Sequence, residues 1–143
     1  MTVRASTAAD VPRLHAIWRA AVLATHQFLS RPHFEEIEAL VLDEYLPHAA
    51  FLVVERGGAV AGFMAVTDAH VDTLFVDPAA HGRGVGRMLI AWALAEHGRL
   101  TVDVSEQNPG AVRFYQRMGF VVVGRAATDD GGRPYPLLYM AMN

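Results

Sequence analysis

The sequence predicts one α/β domain over residues 1–143, with a mixed sheet flanked by helices. Short valine-rich segments, typical of strands, are interleaved with segments whose apolar residues recur at helical spacing. Hydrophobic residues make up 52% of the chain and charged residues 19%, a composition typical of a folded domain with its own core. No repeat, linker or low-complexity tract divides the sequence, which favours a single domain.

Two helices are predicted in the first third of the chain. Thr7 followed by Asp10 resembles a capping box, which marks the start of the first helix. Ser30 and Pro32 are residue types that begin helices, and they mark the start of the second. The apolar positions expected to face the core are Val11, Leu14, Trp18, Ala21 and Val22 in the first helix and Phe34, Ile37, Val41 and Tyr45 in the second.

Seven strands are predicted from apolar runs bounded by turn signals. The Arg-Gly-Gly at 56–58 is expected to turn a hairpin between the second and third strands. The last two strands are joined through the Asp-Asp-Gly-Gly at 129–132. The predicted strands are 2–5, 51–55, 59–67, 71–76, 100–104, 120–126 and 137–142.

Two more helices are predicted in the second half. One follows a glycine-rich loop and ends near His97 and Gly98. The other has Asn108 as its N-cap, Pro109 at its first position and Gly119 as its left-handed stop. The positions expected to be buried are Val85, Met88, Leu89 and Trp92 in the first of these helices, and those sharing a face in the second are Val112, Tyr115 and Met118.

The composition argues against several classes of function. The net charge of −3 provides no basic field for nucleic acid, and no segment approaches the roughly 18 apolar residues of a membrane span. The absence of cysteine excludes disulfides, thiolate zinc sites and a cysteine nucleophile, and the seven histidines lack metal-site spacing. We therefore expect a cytoplasmic protein that uses no metal and binds neither nucleic acid nor membrane.

The segment 74–87 carries the most specific pattern in the chain. An apolar strand ends at Asp77 and Pro78, glycines follow at 82, 84 and 86, and a helix begins behind them. Gly82 and Gly84 permit a tight turn with positive φ and a close approach of a ligand to the backbone amides. Because the first N–H groups of a helix are unpaired and lie at its positive end, this arrangement suits a phosphate group. A glycine-rich turn without any ligand is the alternative.

The spacing of the glycines distinguishes between families of phosphate-binding loops. A Walker loop needs Lys and then Ser or Thr after its last glycine, whereas Gly86 is followed by Arg87 and Met88. The glycines also lack the G-x-G-x-x-G spacing of a dinucleotide site. His-Gly-Arg-Gly-Val-Gly at 81–86 resembles the pyrophosphate loop Gln/Arg-x-x-Gly-x-Gly/Ala of the GNAT (Gcn5-related N-acetyltransferase) superfamily, except that His81 replaces Gln or Arg.

A second motif supports the same resemblance. Residues 108–120 are similar throughout to Asn-x-x-Ala-x-x-Phe-Tyr-x-x-x-Gly-Phe, which the GNAT superfamily carries after its loop motif. The segments 25–30 and 132–138 look more narrowly like small bacterial acetyltransferases of this superfamily. The resemblance covers essentially the whole chain and implies a single GNAT domain with a central, mostly antiparallel sheet.

The resemblance implies acetyl-CoA as co-substrate. The amides of the glycine loop would surround its pyrophosphate, and the strand before the loop would pair with its pantetheine arm through backbone groups. Asn108 would cap its helix and contact the same arm. The residues implied to bind acetyl-CoA are Leu74, Phe75, Val76, His81, Gly82, Arg83, Gly84, Val85, Gly86, Arg87, Asn108 and Tyr115.

The resemblance also implies the catalytic groups. Tyr115 corresponds to the tyrosine that lies beside the coenzyme A sulfur, where a phenol of pKa about 10 can protonate a thiolate of pKa roughly 8.5. His70 stands where histone-type members carry their basic glutamate, and Asp72 lies two residues on to orient or assist it. Glu106 and water are the alternative bases. Without these roles, Tyr115 would cap a backbone group, and His70 would be a solvated residue at a strand edge.

The acceptor is an amine whose identity the sequence leaves open: a protein lysine, a protein N-terminus or a small molecule. His26 and Phe28, between the first two helices, and Tyr135, in the last hairpin, are the candidate acceptor-binding residues. Helix termination and hairpin packing are equally consistent with these three. A non-catalytic acyl-CoA-binding module is the competing function, and a nucleotide-binding regulator is disfavoured by the missing Walker lysine. A homodimer is plausible because members of the superfamily often pair through their sheets.

Overall fold

Seven strands and four α-helices make up the described part of the chain, residues 1–142, in the computed structural model. The helices are α1 Val11–Thr25, α2 Arg31–Leu40, α3 Val85–His97 and α4 Pro109–Arg117. The strands are β1 Thr2–Ala5, β2 Leu52–Arg56, β3 Ala59–Thr67, β4 His70–Val76, β5 Thr101–Ser105, β6 Phe120–Ala126 and β7 Leu137–Met142. A π-helical turn, Val41–Tyr45, extends α2, and short 3-10 turns lie at Ala8–Asp10 and Pro78–Ala80.

The strand order of the sheet is β1-β2-β3-β4-β5-β7-β6. The pairs β1–β2, β2–β3, β5–β7 and β6–β7 are antiparallel, whereas β4 and β5 are parallel. The predicted fold class, a mixed and mostly antiparallel sheet with flanking helices, is therefore confirmed. By its contacts the chain divides into two compact units, Met1–Ala65 with Thr73–Ala91 and Val66–Asp72 with the chain from Trp92 onward. A single domain over 1–143 stays a prediction.

The first unit is built around α1 and the β2–β3 hairpin. Thr7 N–H donates to Asp10 Oδ2 at 2.8 Å, as the capping pattern predicts, and Gly57 and Gly58 turn the hairpin with φ of +62° and +82°. The predicted face of α1 is confirmed except that Val11 is only half-buried and Ile17 takes a full place in the core. The buried residues of this core include Leu14, Ile17, Trp18, Val22, Leu46, Phe51, Val53, Val60 and Phe63.

The second unit is built around α4 and the strands β5, β7 and β6. Asn108 Oδ1 accepts the Ala111 N–H at 3.2 Å, and Gly119 ends the helix region with φ of +99°, both as predicted. The buried side chains of this unit include Leu100, Val102, Val104, Tyr115, Phe120, Tyr135 and Met140.

The predicted face of α3 is partly wrong. Trp92 is 51% exposed and Met88 is half-buried, whereas Ile90 and Ala93 are buried together with Val85 and Leu89. Because each residue turns the helix by about 100°, the buried residues from Val85 to Ile90 occupy an arc of about 140°, and Trp92 lies about 20° outside its Val85 edge. The apolar spacing alone could not decide between Trp92 and Ala93, because both follow Leu89 by three or four residues.

Candidate active site

The glycine loop between β4 and α3 has the backbone that its sequence predicts. Gly82 and Gly84 have φ of +78° and +82°, a region that side chains other than glycine rarely adopt. A Cβ atom built on either glycine would meet no heavy atom within 4 Å. The space beside these two residues is therefore open, so a ligand can reach the loop backbone.

The amides at the start of α3 are positioned to hold an anion. The first N–H to bond within the helix is that of Met88, which donates to Gly84 O at 3.0 Å. The N–H groups of Val85, Gly86 and Arg87 precede this bond and lie at the positive end of the helix dipole. The Arg83 N–H is different, because it donates to Ala80 O at 3.3 Å within the loop itself. Open space beside two glycines and free amides at a helix start together fit a pyrophosphate.

The strand before the loop contributes its backbone. The ladder between β4 and β5 consists of the pairs His70↔Thr101 and Val71↔Val102, so Leu74, Phe75 and Val76 lie beyond it. The Phe75 ring packs against Phe63 with a centroid distance of 5.8 Å. The Phe75 carbonyl oxygen lies beside Gly62 of β3, so the backbone groups that alternate with it, those of Leu74 and Val76, face the other edge of β4.

Gly62 in β3 supports the loop and was not predicted from the sequence. A Cβ atom at this position would lie 2.6 Å from Val85 Cγ1 and 3.1 Å from Phe75 O. Glycine is therefore required for β3 to pack closely against the end of β4 and the first residue of α3. The only available signal was a glycine within a strand pattern, which indicates a close approach without naming the partner.

Tyr115 is buried between two aromatic rings. Its side chain is 6% exposed and packs edge-on against Phe114 and Phe120, at centroid distances of 5.1 and 5.3 Å. Burial raises the pKa of the Tyr115 phenol far above its ordinary value, so the hydroxyl keeps its proton at neutral pH. No hydrogen bond joins this hydroxyl to another residue in the range 1–142.

His70 contacts groups on β5 and not the expected aspartate. Its Nδ1 lies 2.7 Å from Thr101 Oγ1, and its Nε2 lies 3.7 Å from Asp103 Oδ2. Asp72 instead accepts a hydrogen bond from Thr67 Oγ1 at 2.6 Å. Assistance by Asp72 was inferred from sequence proximity, whereas Asp103 is brought to His70 by the register of two parallel strands.

Two acidic residues, Asp103 beside His70 and the alternative base Glu106, differ in their surroundings. Burial raises the pKa of Asp103, the nearby His70 opposes this effect, and the charges of Asp130 and Asp72 add to it. Glu106, the alternative base, forms a two-bond ion pair with Arg125 at 2.8 and 3.0 Å, which lowers the pKa of its carboxyl. This ion pair makes Glu106 a weaker base than a free carboxylate.

Comparison with known proteins identifies the family to which this arrangement belongs. The profile described as "Acetyltransferase (GNAT) domain" matches residues 47–122. The chain belongs to the GNAT family. The matched segment contains the glycine loop and the second motif, which runs from the N-cap of α4 to the first residue of β6.

Proteins similar to this chain align with it over nearly its full length. Peptidyl-lysine N-acetyltransferase YjaB of Salmonella typhimurium is 47% identical over 139 residues, 96% of this chain and 95% of that protein. The Escherichia coli protein of the same name is 44% identical over 142 residues, 99% of this chain and 96% of that protein. The solution structure of apo-form Escherichia coli YjaB matches with a TM-score of 0.92 at 45% identity, covering 98% of this chain and 95% of that one. This GNAT chain is an N-acetyltransferase, and its resemblance to small bacterial acetyltransferases of the YjaB type is confirmed.

The candidate acceptor residues of this GNAT chain lie in its two connecting segments. The Thr25 hydroxyl donates to Ala21 O at 2.7 Å and lies 2.7 Å from His26 Nδ1. Because that hydroxyl has one proton, His26 Nδ1–H must donate to Thr25 Oγ1, which leaves Nε2 as an acceptor. Burial lowers the pKa of His26, and its ring lies 5.2 Å from that of Phe28. The side chain of Tyr135 is 9% exposed.

The structure gives two further findings about ligands. Within residues 1–142, no group of three His, Cys, Asp or Glu side chains is arranged to hold a metal ion. None of the described helices combines the length and apolar character needed to cross a bilayer.

Proposed function

We propose that this chain transfers the acetyl group of acetyl-CoA to the side-chain amine of a lysine in a protein. The observation that carries the proposal is the loop 82–87, whose open glycines and free helix amides suit a pyrophosphate. The lysine acceptor is inferred from the YjaB proteins, which are named for this acceptor and match at 44% and 47% identity over nearly the full chain.

The proposed reaction is a direct attack of the amine on the thioester. A C–N bond forms, the C–S bond breaks, and the amine loses one proton before the attack and a second after it, which replaces the proton that Tyr115 gives to the sulfur. Acetyl-CoA supplies the activated acetyl group. Because a free alkyl amine has a pKa of about 10.4, His70 or a water molecule accepts the first proton at neutral pH. Thr101 orients the imidazole through Nδ1, at 2.7 Å.

Tyr115 is proposed as the general acid that protonates the leaving sulfur. Its buried phenol is fully protonated at neutral pH, and its hydroxyl has no competing partner in residues 1–142. The raised pKa makes proton donation harder, but a thiolate that leaves into similarly dry surroundings is destabilised for the same reason. The difference between the two pKa values therefore grows by less than the pKa of the phenol itself.

The loop can be tested with a matched pair of glycine substitutions. Gly84 and Gly58 both have φ of +82°, and a Cβ on either would meet no atom within 4 Å. An alanine should therefore introduce similar backbone strain at both positions, about 1–2 kcal/mol. We expect Gly84→Ala to weaken acetyl-CoA binding at least tenfold, and Gly58→Ala to leave it within twofold of wild type. Equal affinities in the two variants would remove the loop from the cofactor site.

The acceptor and the catalytic activity need a separate assay. Release of free thiol from acetyl-CoA is measured with a lysine peptide whose N-terminus is blocked, a peptide with a free N-terminus and no lysine, and a polyamine. The proposal expects the blocked lysine peptide to be the fastest substrate. Acetyl-CoA binding without thiol release for any amine would support the non-catalytic acyl-CoA-binding module instead. Homodimerisation stays a prediction, which the mass of the protein in solution would test.

A further inference from the structure

Arg13 of α1 connects two segments that border the cofactor loop. Its Nε donates to Val60 O at 3.0 Å, and its Nη2 donates to Asp77 Oδ2 at 2.6 Å. Val60 belongs to β3, and Asp77 is the residue between the end of β4 and the turn Pro78–Ala80. This single guanidinium therefore holds the junction between β4 and the glycine loop in a fixed position relative to β3.

Asp77 is held by more than this ion pair. Its backbone N–H donates to Ala61 O at 2.8 Å, and its carbonyl accepts the Ala80 N–H at 2.8 Å. Its Oδ1 accepts the Ala79 N–H at 3.0 Å. The Ala79 N–H, and with it the Arg13 guanidinium, lowers the pKa of the Asp77 carboxyl, so both of its interactions are made by a carboxylate at neutral pH.

We propose that Arg13 and Asp77 are positioning residues for acetyl-CoA binding, which hold the entrance of the glycine loop in its binding conformation. The inference rests on the proposed function of the loop. Gly82, Gly84 and Gly86 give the loop large conformational freedom, and freedom that remains in the unbound protein must be lost when a ligand binds. The Arg13–Asp77 pair reduces this freedom beforehand, from a position at the start of the segment.

Arginine is the residue type that this arrangement requires. Its planar guanidinium presents Nε and Nη2 in a fixed fork, so one side chain reaches a carbonyl and a carboxylate at once. A lysine at position 13 would keep the charge but could not reproduce this fork. Arg13→Lys is therefore a graded test of the pair.

The test measures acetyl-CoA binding by calorimetry in Arg13→Gln, Asp77→Asn, the double variant and Arg13→Lys. We expect the Kd to rise about tenfold in each single neutral variant, which corresponds to about 1.4 kcal/mol. The Kd of the double variant should rise no more than that of either single variant, because the two residues act as a unit. Arg13→Lys should lie between wild type and Arg13→Gln, and kcat at saturating acetyl-CoA should stay within twofold.

Arg19→Gln is the matched control. Arg19 also lies on α1 and also forms an ion pair, donating through Nη1 to Glu38 Oε2 at 2.5 Å, but Glu38 belongs to α2. The Kd of the Arg19→Gln variant for acetyl-CoA should stay within twofold of wild type. An equal loss in Arg19→Gln, or an unchanged Kd in both Arg13→Gln and Asp77→Asn, would overturn the inference.

Hydrogen exchange makes the inference testable without a ligand. In the unbound protein, Arg13→Gln should speed amide exchange in peptides covering 78–88 and leave that of β6 and β7 unchanged. If the wild type does not bind acetyl-CoA, the proposed function fails, and the exchange of 78–88 alone decides whether the pair orders the loop. Unchanged exchange in that segment would contradict the inference whatever the binding data show.

Discussion

Substitution of Gly62 by alanine should destabilise the protein through a defined steric conflict. The new Cβ would lie 2.6 Å from Val85 Cγ1 and 3.1 Å from Phe75 O, and one of these partners is backbone. Val85 is 1% exposed, so it has little room to move away. Adding a methyl group to a tightly packed core typically costs about 1–3 kcal/mol. At roughly 3–5 °C per kcal/mol for a domain of this size, we expect Tm to fall by about 3–15 °C.

The assay is thermal unfolding followed by circular dichroism, with Gly110→Ala as the control. At Gly110 the nearest atom to a new Cβ is Asn108 Oδ1 at 3.7 Å, an ordinary contact, and the residue lies within α4. Alanine there should be neutral or stabilising by about 0.5–1 kcal/mol, because it favours the helix. A Tm for Gly62→Ala within 1 °C of wild type would refute the reasoning, since it would mean that β3 and α3 separate without cost.

Three other predictions concern single groups. Tyr115→Phe should lower kcat at least tenfold and leave the acetyl-CoA Kd and Tm nearly unchanged, because its hydroxyl has no partner in residues 1–142; steady-state kinetics and calorimetry check this. His26 should be neutral at pH 7 with its proton on Nδ1, and Thr25→Val should remove that tautomer preference, as seen in imidazole ¹⁵N chemical shifts. Asp10 has a pKa lowered to about 2 by Arg4 and the Thr7 N–H, from 3.8, so its contribution to stability is present above that ordinary value and is lost as the pH falls towards 2. The stability advantage of wild type over Asp10→Asn in urea unfolding should therefore shrink between pH 4 and pH 2, and a constant difference would contradict this.

The features that could be predicted from the sequence are those set by neighbouring residues. The strands β1, β3, β6 and β7 have the predicted bounds, because alternation and turn residues act over a few positions. The positive φ of Gly82 and Gly84 was predicted for the same reason, since only glycine adopts that backbone region readily. The ends of α4 were also predicted from the local sequence: Asn108 caps the helix, and Gly119 ends it.

The features that could not be predicted depend on contacts between distant segments. Asp103 reaches His70 only because His70 pairs with Thr101 in a parallel ladder, and a register shift of one residue would turn it to the other face. Arg13 and Asp77 are 64 residues apart, and no spacing rule connects a helix residue with the end of a strand so far along the chain. Trp92 was misplaced because the choice between it and Ala93 depends on what α3 packs against.

The parts of the candidate site differ in whether they act through the backbone or through side chains. The loop that suits a pyrophosphate acts through its backbone, and backbone geometry is imposed by glycines that the sequence shows directly. The groups proposed for proton transfer would act through side chains whose surroundings come from other parts of the chain: Thr101 contacts His70, and Phe120 packs against Tyr115. The glycine loop can therefore stay intact when substitution of these side chains changes the acceptor or removes catalysis. For this reason acetyl-CoA binding alone does not test the proposed proton donor, whereas a Tyr115→Phe variant that binds normally and transfers slowly would.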